Sequence, residues 1–177
     1  MGKLRRGSSG PLFPREDSKS SSAARAENGR ERREVSLNAS QRWIATLLDG
    51  LDAEVDEEKG ARVLEACGRN CLPKGLKEKA RKLYENAGGT DDFVQVLAAS
   101  WPAVKREEGG VFVVYPQCYG HFLRGFSGEL SPSWCRRSVG YVKELFERAT
   151  GQPVEVKLQS SIVRGGGKCR FAVLLER

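Results

Sequence analysis

Five cysteines and a single histidine carry most of the chemistry open to this chain of 177 residues. They fall in three stretches. Cys67 and Cys71 stand four apart at the end of a helical pattern. Cys118 and His121 stand three apart in Tyr115-Pro-Gln-Cys118-Tyr-Gly-His121, a turn after an apolar run that reads as a strand. Cys135 opens the helix that follows. Thiolate and imidazole are the ligands selected by zinc and iron–sulfur clusters, and four of them converging would close a structural site. Cys67, Cys71, Cys118, His121 and Cys135 are therefore the expected metal ligands, with zinc or an iron–sulfur cluster as the cofactor. The combined spacing matches no standard finger. Cys67 and Cys135 read equally well as small apolar residues on helix stripes.

The same residues suit a second chemistry. Cys118 and His121 put a nucleophile and a base within one turn, and Cys135 would gain thiolate character at a helix N-terminus. No acidic residue near His121 in sequence is placed to orient it. Gly-x-Ser-x-Gly, His-Glu-x-x-His, Walker and Gly-x-Gly-x-x-Gly patterns are absent. Aromatics crowd the same region: Tyr115, Tyr119, Phe122, Phe126 and Trp134. Tyr119, Phe122 and Trp134, with Arg124 for an anionic group, are the expected lining of a small-molecule pocket, although such aromatics are as often core.

These residues need elements to hold them. Val111–Tyr115 reads as a strand entered through a hairpin across Glu107-Glu-Gly-Gly110. A helix from about Ser133 to Thr150 follows, with Ser133 as N-cap and Cys135, Val139, Val142, Leu145, Phe146 and Ala149 forming one stripe. Gly151 and Pro153 stop it. Pro153–Gln159 alternates apolar Val154, Val156 and Leu158 with polar residues, the period of a half-buried strand. Gly165-Gly-Gly marks a turn, and the return strand puts Cys169, Phe171 and Val173 on one face. Upstream, four helices are expected. The first has Trp43, Ile44, Leu47, Leu48 and Leu51 at helical spacing behind Asn38 or Ser40. The second runs from Asp56 to about Gly68 with Val63, Leu64 and Cys67 inward. The third spans Leu76 to Asn86. Thr90-Asp-Asp caps the fourth, which carries Phe93, Val96, Leu97 and Trp101. The order is α+β: N-terminal helices, then β-hairpin, helix and β-hairpin forming an antiparallel sheet.

Composition bounds the rest. Residues 1–37 form a basic, Ser-rich tail with too little apolar surface to offset the entropy of folding, so 38–177 is the single expected domain. Formal charge is +7, yet nine Lys or Arg against five Asp or Glu lie in residues 1–34, which leaves the domain only mildly basic. Nucleic acid is thus a disfavoured partner. There is no run of about 18 apolar residues, no secretory leader and no myristoylation pattern, so a cytoplasmic protein without a membrane partner is expected. An odd number of cysteines fits reduced thiols or metal ligands better than a disulfide framework.

Cys118-Tyr-Gly-His-Phe-Leu-Arg-Gly-Phe, Trp134-Cys135 opening the Val142-Lys-Glu-Leu-Phe-Glu helix, the Pro153-Val-Glu-Val strand, and a Gly-rich turn into Cys169-Arg-Phe together resemble the 4-vinyl reductase-type ligand-binding domain. They are similar also to aminothiazoline-carboxylate hydrolase-like domains. The resemblance covers roughly residues 60–176, with the Cys67-Gly-Arg-Asn-Cys71 pair as this chain's own addition. It implies an α+β domain that binds a small hydrophobic molecule or a metal, and maps Cys118, Cys135 and Cys169 onto the shared pattern. Its hydrolase members would imply ring opening of an amidine-like substrate. The expected function is a small-molecule- or metal-binding domain with a Cys/His cluster. A cysteine-dependent hydrolase and a protein-interaction module are the other readings.

Overall fold

A computed structural model of the chain describes residues 38–118, 120 and 130–175. The expected tail, 1–37, lies outside them, as do Tyr119, His121, Phe122, Arg124 and Phe126. Four helices come first: α1 (Ala39–Glu54), α2 (Glu57–Cys71), α3 (Lys74–Glu85) and α4 (Thr90–Ser100). Then follow β1 (Val104–Glu107), β2 (Gly110–Tyr115), α5 (Trp134–Thr150), β3 (Glu155–Ser160) and β4 (Cys169–Leu174). The strands form one antiparallel sheet in the order β1-β2-β4-β3. The α+β order expected from the pattern is the fold.

Local chemistry sets the boundaries. Asn38 and Gln41 form a reciprocal capping box at the start of α1, each side chain accepting from the other's backbone N–H at 2.9 and 3.0 Å. Asp56 caps α2 by accepting from the Lys59 amide. Gly151, at φ 73°, ends α5 in the left-handed conformation that glycine adopts without strain. Glu107 pairs with Gly110 across a two-residue turn in which Gly109 has φ 95°.

The register places Val104, Val111, Val113, Tyr115, Cys169, Phe171, Val173, Val156 and Leu158 on one face of the sheet. Val139, Val142, Leu145, Phe146 and Ala149 of α5 join that face in the main core, together with Phe93, Val94 and Leu97 of α4. Each such side chain taken fully out of water contributes roughly 1.5–3 kcal/mol. The other face carries Lys157, Gln159 and Arg170. Arg170 lies over the Phe112 ring at 3.6 Å and pairs with Glu107 at 2.7 Å.

Helix α2 runs parallel to α5 against its outer side. Glu57 faces Arg136, Glu65 faces Lys143, and Arg69 faces Glu144 and Glu147. The contact is made by glycines. A Cβ on Gly68 would stand 1.8 Å from the Arg137 carbonyl oxygen, and one on Gly140 1.9 Å from that of Glu65. This backbone contact turns Val63 and Cys67 outward, contrary to the expected inward stripe of α2: Val63 is 50% exposed and Cys67 is exposed. In α4 the buried partner of Phe93 and Leu97 is Val94, whereas Val96 faces solvent. Likewise α1 buries Ile44 and Leu48 and exposes Trp43 and Leu47.

Candidate functional site

Three of the five cysteines gather at one end of the sheet. Tyr115, the last residue of β2, pairs with Cys169, the first of β4, so Cys118 leaves the sheet beside Cys169. Cys135 sits in the first turn of α5, which packs on the same face. The three sulfurs are close enough to sense each other: a charge on Cys118 disfavours ionisation of both Cys135 and Cys169. Cys118 is half-buried, whereas Cys135 and Cys169 are buried.

The loop from β3 to β4 closes this end. Ser161, fully buried, accepts from the Arg164 amide on its hydroxyl oxygen at 3.1 Å, and its carbonyl accepts from Gly166 at 2.8 Å. Gly165 takes φ 81°, and a Cβ on Gly166 would press within 2.9 Å of the Ser161 carbonyl. The glycine run therefore does more than turn the chain: it lets backbone close on Ser161. With its oxygen occupied by the Arg164 amide, the Ser161 hydroxyl has its proton free for the Cys135 sulfur. The Ile162 amide serves Cys169 in the same way.

Burial dominates the acid–base state of both inner thiols. It pushes Cys135 up, against the Ser161 hydroxyl and the Arg164 charge. It pushes Cys169 up as well, against the Ile162 amide. Both are neutral thiols at neutral pH, weak nucleophiles that can still deprotonate onto a soft cation. The thiolate character expected of Cys135 from its place at a helix N-terminus is thus overridden by desolvation.

The remaining expected residues separate. Cys67 and Cys71 lie on the exposed side of α2. Gly68, next to Cys67, packs on the Arg137 carbonyl two residues from Cys135, yet Cys67 stands in solvent whereas Cys135 is buried on the stripe of α5. Trp134 is core: it packs with Ile44, Leu48 and Leu130, and Arg137 covers its ring at 5.0 Å. Tyr115 stacks edge-on against Phe171 with ring centroids 6.0 Å apart. Tyr119, His121, Phe122 and Arg124 fall outside the described residues. Among the described residues, no group of three or more His, Cys, Asp or Glu side chains stands at metal-ligand spacing. A cavity between Tyr84, Thr150 and Val154, at the other end of the sheet, has about 10 Å³, room for one water.

Sequence reasoning missed Ser161, Ile162 and Arg164, which line the thiol end. The signal was present as Ser161 three residues before Arg164 and followed by glycines, the pattern of a serine that caps its own turn.

Among the described residues no helix is long and apolar enough to cross a membrane. No curated protein matches the chain. A protein-family model does match, over residues 14–177, and by that match the chain belongs to a family of unknown function, DUF6144.

Proposed function

We propose that this chain is a binding domain whose ligand sits against Cys118, Cys135 and Cys169, and that the ligand is a thiophilic metal ion, zinc being the first candidate. The observation that supports this is the gathering of three sulfurs from three elements at one end of the sheet. The donor set suits a soft or borderline cation. The described residues do not form a closed metal-ligand group, so binding requires the three sulfurs to draw closer together. His121, three residues on from Cys118 in sequence, is the candidate fourth ligand and lies outside the described residues. The resemblance to 4-vinyl reductase-type domains points the same way, and a reducing, cytoplasmic setting would keep the thiols available.

The raised thiols give the reading a pH signature. Protons compete for Cys135 and Cys169, so affinity rises with pH and binding releases protons. The test is metal analysis of protein purified without added metal and then titrated with zinc, comparing the parent with C118S and H121A. About one zinc per chain, weakened at least tenfold by C118S and released on acidification, supports the reading. Unaltered zinc content in C118S overturns it. Loss of hydrolysis of an aminothiazoline carboxylate in C118S, with no metal in the parent protein, would instead favour the cysteine hydrolase.

A further inference from the structure

The pair that the thiol end leaves behind has a site of its own. Cys67 and Cys71 are one helical turn apart on α2, both free and both exposed. Side chains four apart on a helix lie on one face, with Cβ atoms roughly 5–6 Å apart. Two Cβ–S bonds leaning together from that separation bring the sulfurs to the span of one cation held between two thiolates. The backbone also allows adjustment there. Cys71 is the last residue of α2, the Leu72 amide bonds back only to Arg69 at 3.4 Å, and Pro73 follows. The second thiol therefore stands where no further helical turn holds it.

Coordination number decides which cation this pair would take. A closed zinc site needs four ligands, and among the described residues no third His, Cys, Asp or Glu joins Cys67 and Cys71 in a metal-binding group. A soft d¹⁰ monovalent ion is satisfied by two thiolates, and thiolate ligands select it over harder cations. The pair also stands in solvent on α2, whereas the cysteines of the thiol end are buried or half-buried. We propose that Cys67 and Cys71 form a second, surface-exposed site that holds one Cu(I) ion between two thiolates. Binding displaces two thiol protons to solvent and needs no change of oxidation state in metal or protein. The site binds Cu(I) in preference to Zn(II), because the second metal would lack two of its ligands.

The test uses the full chain, reduced and metal-free under anaerobic conditions. It is titrated with Cu(I) supplied as its bicinchoninate complex, alongside C67S, C71S and C118S. The parent should withdraw one more equivalent of Cu(I) than C67S or C71S, either single substitution at the pair should abolish the whole of that equivalent, and C118S should keep it. Both substituted positions are exposed, and circular dichroism checks that helicity is kept. In parallel, Cu(I) but not Zn(II) should protect Cys67 and Cys71 from iodoacetamide, as read by peptide mass. Equal Cu(I) uptake by parent, C67S and C71S would overturn the proposal. So would equal protection of the pair by zinc, since that would show the two-thiolate selectivity to be absent.

Discussion

Glu144 shows how a single charged residue can be held inside this fold. Its side chain is only 8% exposed, and burial by itself would raise its carboxyl. Hydrogen bonds from Lys77 at 2.7 Å and Arg148 at 2.8 Å outweigh that, holding it at about 2 against an ordinary 4.5. Because the folded value lies below the unfolded one, the contribution is fully present above pH 4.5 and is lost as pH falls toward 2. A shift of that size corresponds to about 3 kcal/mol, and solvent screening of the exposed Arg148 lowers it. E144Q should therefore cost about 2 kcal/mol in urea unfolding at neutral pH and flatten the acid limb of stability against pH, where the parent loses stability steeply. An unchanged acid limb in E144Q would mean that the Lys77–Glu144–Arg148 contacts contribute nothing net. The cysteines divide by the same logic of burial. Iodoacetamide at neutral pH should label exposed Cys67 and Cys71 first, and reach Cys135 and Cys169, 4% and 7% exposed, only when the fold opens. Early labelling of Cys135, timed by peptide mass, would show that the Ser161 loop does not close over it.

Between elements, the closest fit is the glycine contact of α2 with α5. A methyl group on Gly140 would meet backbone, and no rotamer change can relieve that, so G140A must push two helices apart across a packed core. A loss of about 3 kcal/mol or more is expected in thermal or urea unfolding. Gly50, inside α1, is the control: nothing lies within 4 Å of its Cβ position, so G50A should stabilise by about 0.5–1 kcal/mol through helix propensity. If both substitutions cost the same, the glycines are not what sets the helix separation. This contact also explains what was legible in the sequence. The stripe of α5 and the alternation of β3 and β4 gave their buried faces correctly, since each of those elements buries side chains. The face of α2 was misjudged because it buries Gly60 and Gly68, which carry no hydrophobic signal, and so leaves Val63 and Cys67 outside. Ser133 reads as an N-cap, yet its hydroxyl makes no cap and donates to Asp52 of α1 at 2.6 Å. A tertiary acceptor outcompeted the local one. At the thiol end, the sequence marked Cys118 and Cys135, and the resemblance added Cys169. The Ser161 turn is marked by Ser161, Arg164 and the glycines, but its place beside the two buried sulfurs was not legible, because that depends on β3–β4 register and not on spacing.

Across the whole molecule, the apolar interior is split, and the smaller part adjoins the thiol end. The main core joins the sheet to α3, α4 and α5. A satellite of Ile44, Leu48, Leu130 and Trp134, with Val163 packed against it, fastens α1. Few large side chains hold α1, and its outer face leaves Trp43 and Leu47 in solvent, so its opening should cost less than global unfolding. Native-state hydrogen exchange should find α1 amides at least tenfold less protected than those of Val142 and Leu145 in α5. Leu48, 2% exposed, is the lever. Leu-to-Ala substitution at such a position removes about 2–5 kcal/mol, and L48A should spend that on α1 opening while α5 protection falls much less. The effect should reach the thiols, because Val163 lies in the loop that carries Ser161 and Arg164, and Trp134 precedes Cys135 in sequence. Loosening α1 should therefore speed alkylation of Cys135 by a factor comparable to the lost α1 protection, while Cys169, which belongs to the main core, stays slow. If L48A lowers protection in α1 and α5 equally, the two clusters open as one, and α1 has no separate control over access to Cys135.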